Sequence, residues 1–321
     1  MRAALARTRQ RVEDGPVTEE IVHLHWVEGI GASRYRAVGL VRLLRFQLLF
    51  ATARLLRIPR IATVHNLRAH DRLGSRLDTM NTHYVYRHVD GWIALTPSGR
   101  GRALEAFPAL RGKPDLLSGV WVDARAPASV PRIPGLPGRS WILHLGRIRP
   151  YKGTAELLAC YRALDGPRPP LVIAGAPVFV GDVREVLGEA RRTEGVVLID
   201  RYVSDDEAAV LHRGAMLCVY PFREIETSAS VVRALANGVR VLAPNIGGVP
   251  DIAAHVGPEW LLMFDRVLTP DVLRQGIAWA SEPKPHSPPD LGRAKERIDG
   301  LVAFARGIAD RRMSGDAEAP R

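Results

Sequence analysis

Short apolar runs alternate with helix-length segments along most of this chain, and that alternation restricts the fold more than any other feature. Residues 21–27 (IVHLHWV), 60–67 (RIATVHNL) and 91–95 read as strands. Helical segments follow each of them, over 35–56, roughly 75–88, and from Thr96-Pro97 to about residue 107. Thr96 can cap free amides and Pro97 suits a first helical position. The pattern restarts at 141–145 and runs through a helix at 154–164, a strand at 171–174, a helix at 183–192 and a strand at 196–199. Ser204 with Glu207 forms a capping-box signature before a helix through Arg213. A strand at 216–220, a helix at 228–236 ended by Gly238, and a strand at 240–243 complete the series. Strands that are apolar on both faces need cover on both faces, and helical crossovers supply it only around a parallel sheet.

Between the two blocks, residues 127–139 hold Pro127, Pro131, Pro134, Pro137 and two glycines, the composition of a linker. The chain's 321 residues are enough for two domains. The expected fold is α/β, with two Rossmann-like domains facing across a cleft. The boundaries predicted are 1–130, 131–268, C-terminal helices over 269–312, and a disordered tail over 313–321.

Forty-five basic residues against 34 acidic ones leave a net charge of +11 and favour an anionic partner: nucleic acid, a lipid surface or a phosphorylated substrate. Nearly all the cations are Arg, since Lys occurs only at Lys113, Lys152, Lys284 and Lys295, so composition alone does not choose among these. No helix-turn-helix, zinc or RNP-type signature accompanies the charge, and nucleic acid is not expected as a partner. Cys160 and Cys218 lie far apart without histidine neighbours, which makes neither a metal site nor a disulfide framework. A reduced, cytoplasmic setting is expected. No uncharged apolar run approaches the ~18–20 residues of a membrane span. The first 16 residues are basic but lack the apolar core of a secretory signal.

In open parallel sheets, ligands bind beyond the carboxyl ends of the strands. Three strand-end segments carry suitable chemistry. The first, GRIRPYKG, runs from Gly146 to Gly153 and places Arg147, Arg149 and Lys152 at a strand end and helix start. Arginine forks, a lysine point charge and helix N-terminal amides together neutralise a diphosphate. The second, YPFREIETSAS, opens a helix with Glu224, Glu226, Thr227, Ser228 and Ser230, hydroxyls beside free amides. The third, NIGGVPD, contains Gly247 and Gly248, which permit close backbone approach to a ligand. A solvated basic turn, an ordinary N-cap and an ordinary tight turn are the plain structural alternatives.

The order and spacing of these three segments, with the helix unit SAS-x-x-x-ALANG-x-x-VLAP, resemble the nucleotide-sugar-binding half of GT-B glycosyltransferases. The likeness is to the family 4-like group of mannosyl- and glucosyltransferases of exopolysaccharide and glycolipid assembly. It covers residues 140–264 and extends through HLHW and TVHNLRAH into 23–107. It implies transfer of a hexose from a UDP- or GDP-sugar to a lipid-linked or polysaccharide acceptor, without a metal. By the same resemblance, Arg147 or Arg149 and Lys152 would hold the donor diphosphate and stabilise the leaving group. Gly146, Gly247 and Gly248 would line the donor site, and Thr227 and Ser228 would grip the phosphates. Glu224 or Glu226 would bond sugar or ribose hydroxyls, and His65 would contact the donor sugar. Arg149, Lys152 and His65 are the candidate catalytic residues. His23 and His25 are expected to be satisfied core histidines.

The sequence departs from the family in two places. Arg233 stands where many members carry a second glutamate. The first strand, at 21–27, resembles a later strand of the family sheet, so roughly 50–80 residues are expected to be missing from the N-terminal domain, through a misplaced start or truncation, with a degenerate or rearranged protein as the alternative. A non-catalytic nucleotide-sugar-binding remnant is therefore the alternative function. Finally, the helix at 35–56 carries Arg36, Arg42, Arg45 and Arg54 beside Leu40, Leu43, Leu44, Leu48 and Leu55. Its leucine face is expected to pack into the sheet; contact with the inner face of an anionic membrane is the alternative.

Overall fold

The computed structural model of the chain describes residues 21–31, 33, 35–67, 76–120, 130–138, 140–283, 285–291 and 294–313. Residues 127–129 and 139 of the expected linker, and 314–321 of the tail expected over 313–321, lie outside these residues. The chain divides into two compact units, Met1–Gly119 with Arg293–Arg321, and Val120–Gly292.

The first unit is built on a four-stranded parallel sheet in the order β1 (Val22–His25), β2 (Arg60–Val64), β3 (Gly91–Ala94), β4 (Asp115–Leu117). Its crossovers are α1 (Arg36–Leu55), α2 (Arg76–His88) and α3 (Pro97–Ala106). Thr96 caps α3 as its sequence predicts, its hydroxyl accepting from the Gly99 amide at 3.0 Å. The strand β4 has only three half-exposed or exposed residues beginning with Asp115, so it leaves no apolar run to read in the sequence. Alternation along β2 and β3 divides the core. Ala62 and Trp92 face Phe46, Phe50 and Tyr86 on one side, while Ile61 and Ile93 form the other.

The helix α1 corrects the expected leucine face. Gly39, Leu43, Phe46, Phe50 and Ala53, spaced four and three residues apart, are the buried positions among the described side chains. Leu44, Leu48 and Leu55 are 60%, 69% and 83% exposed, and Leu40 is exposed as well. The aromatic rings displace the leucines because only one stripe of a helix can face a sheet, and the Phe46–Phe50 pair fills it.

The second unit carries a six-stranded, all-parallel sheet of β5 (Trp141–Leu145), β6 (Leu171–Ala174), β7 (Val196–Ile199), β8 (Ala215–Val219), β9 (Arg240–Pro244) and β10 (Leu261–Phe264). Their order is β10-β9-β8-β5-β6-β7. The strand that comes first in the chain therefore lies inside the sheet, and the path reverses between β5 and β8. That is the doubly wound Rossmann arrangement, whose ligand crevice opens at the reversal. Helices α4 (Thr154–Arg162), α5 (Val183–Arg192), α6 (Asp205–Gly214), α7 (Ala229–Ala236), α8 (Val249–Val256) and α9 (Pro270–Ser281) cover it. The capping box at Ser204 and Glu207 is complete, with both reciprocal bonds formed. Strands β5, β6 and β9 are buried throughout, which explains why their apolar runs were legible. The cysteines Cys160 and Cys218 are free and buried.

The last helices divide between the units. Leu273 anchors α9 in the second, and the buried Arg240 guanidinium donates to the Trp279, Glu282 and Pro283 carbonyls at its end. The chain then returns to the first unit with α10 (Ala294–Met313). Ile308 packs on Ile61 and Ile93, and Arg312 joins the buried Arg60 at the Asp90 carboxylate.

Candidate functional site

The carboxyl ends of β5, β8 and β9 bring the three sequence segments into contact. At Gly153 and Gly247 the contact demands glycine. Gly153 has φ +74°, and a Cβ there would lie 1.9 Å from the Pro221 carbonyl oxygen. Gly247 has φ +59°, and a Cβ there would lie 1.8 Å from the Ile225 carbonyl oxygen. Backbone hydrogen bonds complete the interlock: the Arg223 amide donates to the Tyr151 carbonyl at 2.9 Å, and the Gly248 amide to the Glu226 carbonyl at 2.9 Å. Gly146 sits at the end of β5 with Ser230 beside it.

Within this assembly, Lys152 lies among aromatic rings, its Nζ 4.7 Å from the Phe222 centroid and 5.5 Å from that of Tyr151. Burial, with the neighbouring Arg149 charge adding to it, pushes the Lys152 amine down to about 8. Arg149 is half-buried and Arg147 exposed. Ser228 is the N-cap of α7, its Oγ accepting from the Val231 amide at 3.2 Å. That bond leaves the hydroxyl proton of Ser228 to donate elsewhere. Thr227 and Glu226 are half-buried and Glu224 is exposed. Thus Gly146, Arg147, Arg149, Lys152, Glu224, Glu226, Thr227, Ser228, Gly247 and Gly248 all belong to one group of loops in the second unit.

His144 belongs to the same region and was not identified from the sequence. Its Nδ1 bonds the Val219 carbonyl at 2.8 Å and its Nε2 lies 3.1 Å from Thr154 Oγ1. A carbonyl only accepts, so Nδ1 carries the proton and Nε2 accepts from the Thr154 hydroxyl. Burial holds this imidazole down at about 4, and it stays neutral. It ties β5 to β8 and to the first residue of α4, and so fixes the helix that follows Lys152. A histidine within the apolar run WILHL gives no sign of this in the sequence.

His65 belongs to the first unit, just beyond β2. Its Nε2 lies 2.8 Å from His25 Nδ1, and the Trp26 ring stacks on it at 4.3 Å with 14° between planes. His23 Nε2 bonds Thr63 Oγ1 at 2.8 Å. Burial pushes His65 down to about 3 and His23 to about 4, helped by the neighbouring rings. His23, the second residue of β1, and His25, its last, are hydrogen-bonded as expected of satisfied histidines but are half-buried rather than in the core. Glu28 was also missed. It is buried, accepts from Asn66 Nδ2 at 3.0 Å, and is pushed up to about 7 by its burial.

No protein-family profile matches the chain. A GDP-mannose:glycolipid 4-beta-D-mannosyltransferase from Xanthomonas campestris pv. campestris is 27% identical over 270 residues, 83% of this chain and 74% of that protein. Among solved structures, sucrose-phosphate synthase from Thermosynechococcus elongatus superposes with a TM-score of 0.60 at 17% identity, covering 93% of this chain and 74% of that one. Anabaena HepE in complex with UDP-glucose gives 0.59 at 15% identity, covering 85% and 76%. The chain has the fold of GT-B glycosyltransferases.

Arg233, at the position where many members of the resembled family carry a glutamate, has an acidic partner. Its guanidinium pairs with Asp205 at 2.6 Å and joins α7 to the start of α6. Among the described residues no group of three or more His, Cys, Asp or Glu is placed to hold a metal ion. No helix among them is long and apolar enough to cross a membrane.

Proposed function

We propose that this chain is a glycosyltransferase that moves a hexosyl group from a UDP- or GDP-sugar to a lipid-linked or saccharide acceptor. The observation that carries the reading is the interlock of the three strand-end loops, which sets Lys152, Arg149, Thr227 and Ser228 around the reversal point of a Rossmann sheet. The acceptor class is supported by the Xanthomonas relative, whose name specifies a glycolipid.

In this reaction the bond from the anomeric carbon to the donor phosphate breaks, and the diphosphate gains negative charge. Lys152 and Arg149 are fixed cations at the site, and the Tyr151 and Phe222 rings keep water from the ammonium. A fixed cation in a poorly hydrated site stabilises developing charge more than one in water does. Ser228, Thr227 and the first-turn amides of α7 bind the same phosphates. Glu226 or Glu224 bonds sugar or ribose hydroxyls, and Arg147 supplements the charge. The diphosphate is neutralised by protein cations, and no metal takes part.

Calorimetry with UDP, GDP and their hexose conjugates tests this reading. Binding of one nucleotide sugar, abolished by Lys152→Ala or Arg149→Ala, is expected. The absence of binding to every nucleotide sugar would overturn it. Binding without transfer to any glycolipid acceptor would favour the non-catalytic alternative.

The exposed face of α1 supports a second reading, peripheral attachment to an anionic bilayer. Leu44, Leu48 and Leu55 lie exposed beside Arg42 and Arg45, an apolar strip flanked by cations. Such a strip suits the interface where a lipid-linked acceptor resides. Flotation with phosphatidylglycerol vesicles, lost in Leu44→Glu/Leu48→Glu and in pure phosphatidylcholine, is expected. A dimer in solution that the same double variant disrupts would assign this face to a second copy instead.

A further inference from the structure

The amino ends of β2, β3 and β4 gather cations for which the fold supplies too little counter-charge. Arg60 opens β2, Asp90 precedes β3 and Lys113 precedes β4. The buried Arg60 guanidinium holds the Asp90 carboxylate through Nε at 3.0 Å and Nη2 at 2.9 Å, and Arg312 of α10 reaches the same carboxylate. Lys113 Nζ donates to the Arg87 and Val89 carbonyls at 3.1 and 2.8 Å, which leaves one of its protons unused by them. Arg54 and Arg57 lie at the end of α1, and Arg87 in the last turn of α2. These three are exposed and pair with no carboxylate among the described residues. The charges of Arg57 and Arg60 bear on Arg312, and those of Arg54, Arg60 and Arg87 on His88, so the group is continuous. Helices α1, α2 and α10 also end here, and each carboxyl end carries roughly half a negative charge. Together with Asp90 they offset less than half of the positive charge on Arg54, Arg57, Arg60, Arg87, Lys113 and Arg312.

Two further observations point to an anion. Arg60 is 3% exposed, and its Nη1 is buried without an acceptor among the described residues. Arg57 has φ 56°. It follows α1 in the left-handed conformation that glycine takes at helix ends without the strain a Cβ brings. The Arg57 carbonyl accepts from Arg312 Nε at 3.1 Å, a bond that any residue could supply. Its side chain therefore adds only strain and repulsion to the free protein. A ligand with several anionic oxygens converts that repulsion into attraction, and arginine forks beside a lysine match the tetrahedral oxygens of phosphate.

We infer that Arg54, Arg57 and Arg87, backed by Lys113 and Arg312, bind a phosphomonoester group, carried by an anionic lipid headgroup or by a soluble molecule. The site is at the strand ends of the first sheet opposite to those that carry His25 and His65. Leu55 and Leu56, 83% and 64% exposed, flank the arginines and favour the lipid source. That source rests on the peripheral attachment proposed above; the phosphate chemistry does not.

The test uses the full chain carrying Lys152→Ala, so that the donor-site lysine does not contribute. Its thermal midpoint is measured in sodium phosphate and in sodium chloride of equal ionic strength. Its binding to phosphatidylcholine vesicles, with and without phosphatidic acid, is measured by flotation. Arg57→Gly/Arg87→Gln removes two cations, and glycine suits the backbone at 57, so the midpoint in chloride should not fall. The double variant is expected to lose the extra rise in phosphate and to bind phosphatidic acid vesicles about 30-fold more weakly. Arg192→Gln/Arg213→Gln removes the same charge from exposed positions of the second unit and should do neither. A loss in the vesicle measurement alone supports the site with a lipid headgroup as its ligand, and a loss in phosphate alone supports it with a soluble one. If neither readout depends on Arg57 and Arg87, or if both pairs of substitutions weaken binding equally, the site is refuted. A chain that ignores every vesicle while its phosphate rise requires Arg57 and Arg87 refutes only the peripheral attachment.

Discussion

Lys152 is protonated in a place that disfavours its charge, and nucleotide binding should reverse that. Burial and Arg149 lower its amine from 10.5 to about 8. Holding the ammonium there costs on the order of 3 kcal/mol relative to water. Because the folded value lies below the unfolded one, the cost is present in full below about pH 8. It fades as pH rises through 10.5, and well above that value both states are neutral. A bound diphosphate supplies the missing counter-charge and draws the proton back. Uptake on binding should therefore be ~0.1 proton at pH 7, ~0.5 at pH 8 and ~0.9 at pH 9. Calorimetric titration of UDP and GDP in phosphate, HEPES and Tris measures it, since the observed heat then varies with the buffer's ionisation enthalpy. Lys152→Met should abolish the pH-dependent uptake and raise the thermal midpoint at pH 7 while weakening nucleotide binding. A wild-type protein that binds nucleotide with the same heat in all three buffers at pH 8 and 9 refutes this account of the site. So does a Lys152→Met variant that keeps the uptake.

Three further outcomes follow from the same structure. Gly153→Ala and Gly247→Ala each force a Cβ into a backbone carbonyl at positive φ, and each should lower stability in urea by at least ~1–3 kcal/mol; a loss confined to a few tenths would show that the loops do not interlock. His23, His65, His144 and His212 all have folded values lowered by burial, to between about 3 and about 4. The stability tied to their neutral forms is complete above the ordinary value of 6.5 and is lost as pH falls toward 4, so the thermal midpoint should drop steeply across that window and less steeply in His144→Gln. Transfer assayed with and without EDTA should proceed at the same rate, and a strong loss on chelation that added divalent metal restores would overturn the assignment of charge neutralisation to Lys152 and Arg149 alone.

How much of this was legible in the sequence varied with how completely each element is buried. In the second unit, β5, β6, α5 and β7 occupy the spans read from the chain: β5 and β6 have no solvent-facing side to break the apolar run, α5 has one clean stripe, and β7 is apolar at all four positions though three are only half-buried. The short edge strand β4, half-exposed or exposed throughout, gave no such signal. At the site, the sequence supplied the residue types at three strand ends, since cations, hydroxyls and glycines stand there in fixed order. Contact between those strand ends came from the order β10-β9-β8-β5-β6-β7, which places β5 beside β8.

The sequence by itself determined the parallel α/β architecture, the loops that carry chemistry and the composition of those loops, because local periodicity and strand-end position encode them directly. Four things were decided only by the tertiary structure. One is which stripe of α1 is buried, since both its phenylalanine and its leucine stripes are apolar and only packing selects between them. Another is that Lys152 lies between two rings from different loops, 70 residues apart for Lys152 and Phe222. The others are the neutral His144 brace and the Trp26–His65–His25 cluster, each made from residues that are distant in the chain. Charge state and ring stacking depend on neighbours brought together by the fold, and no local pattern in a single sequence specifies those neighbours.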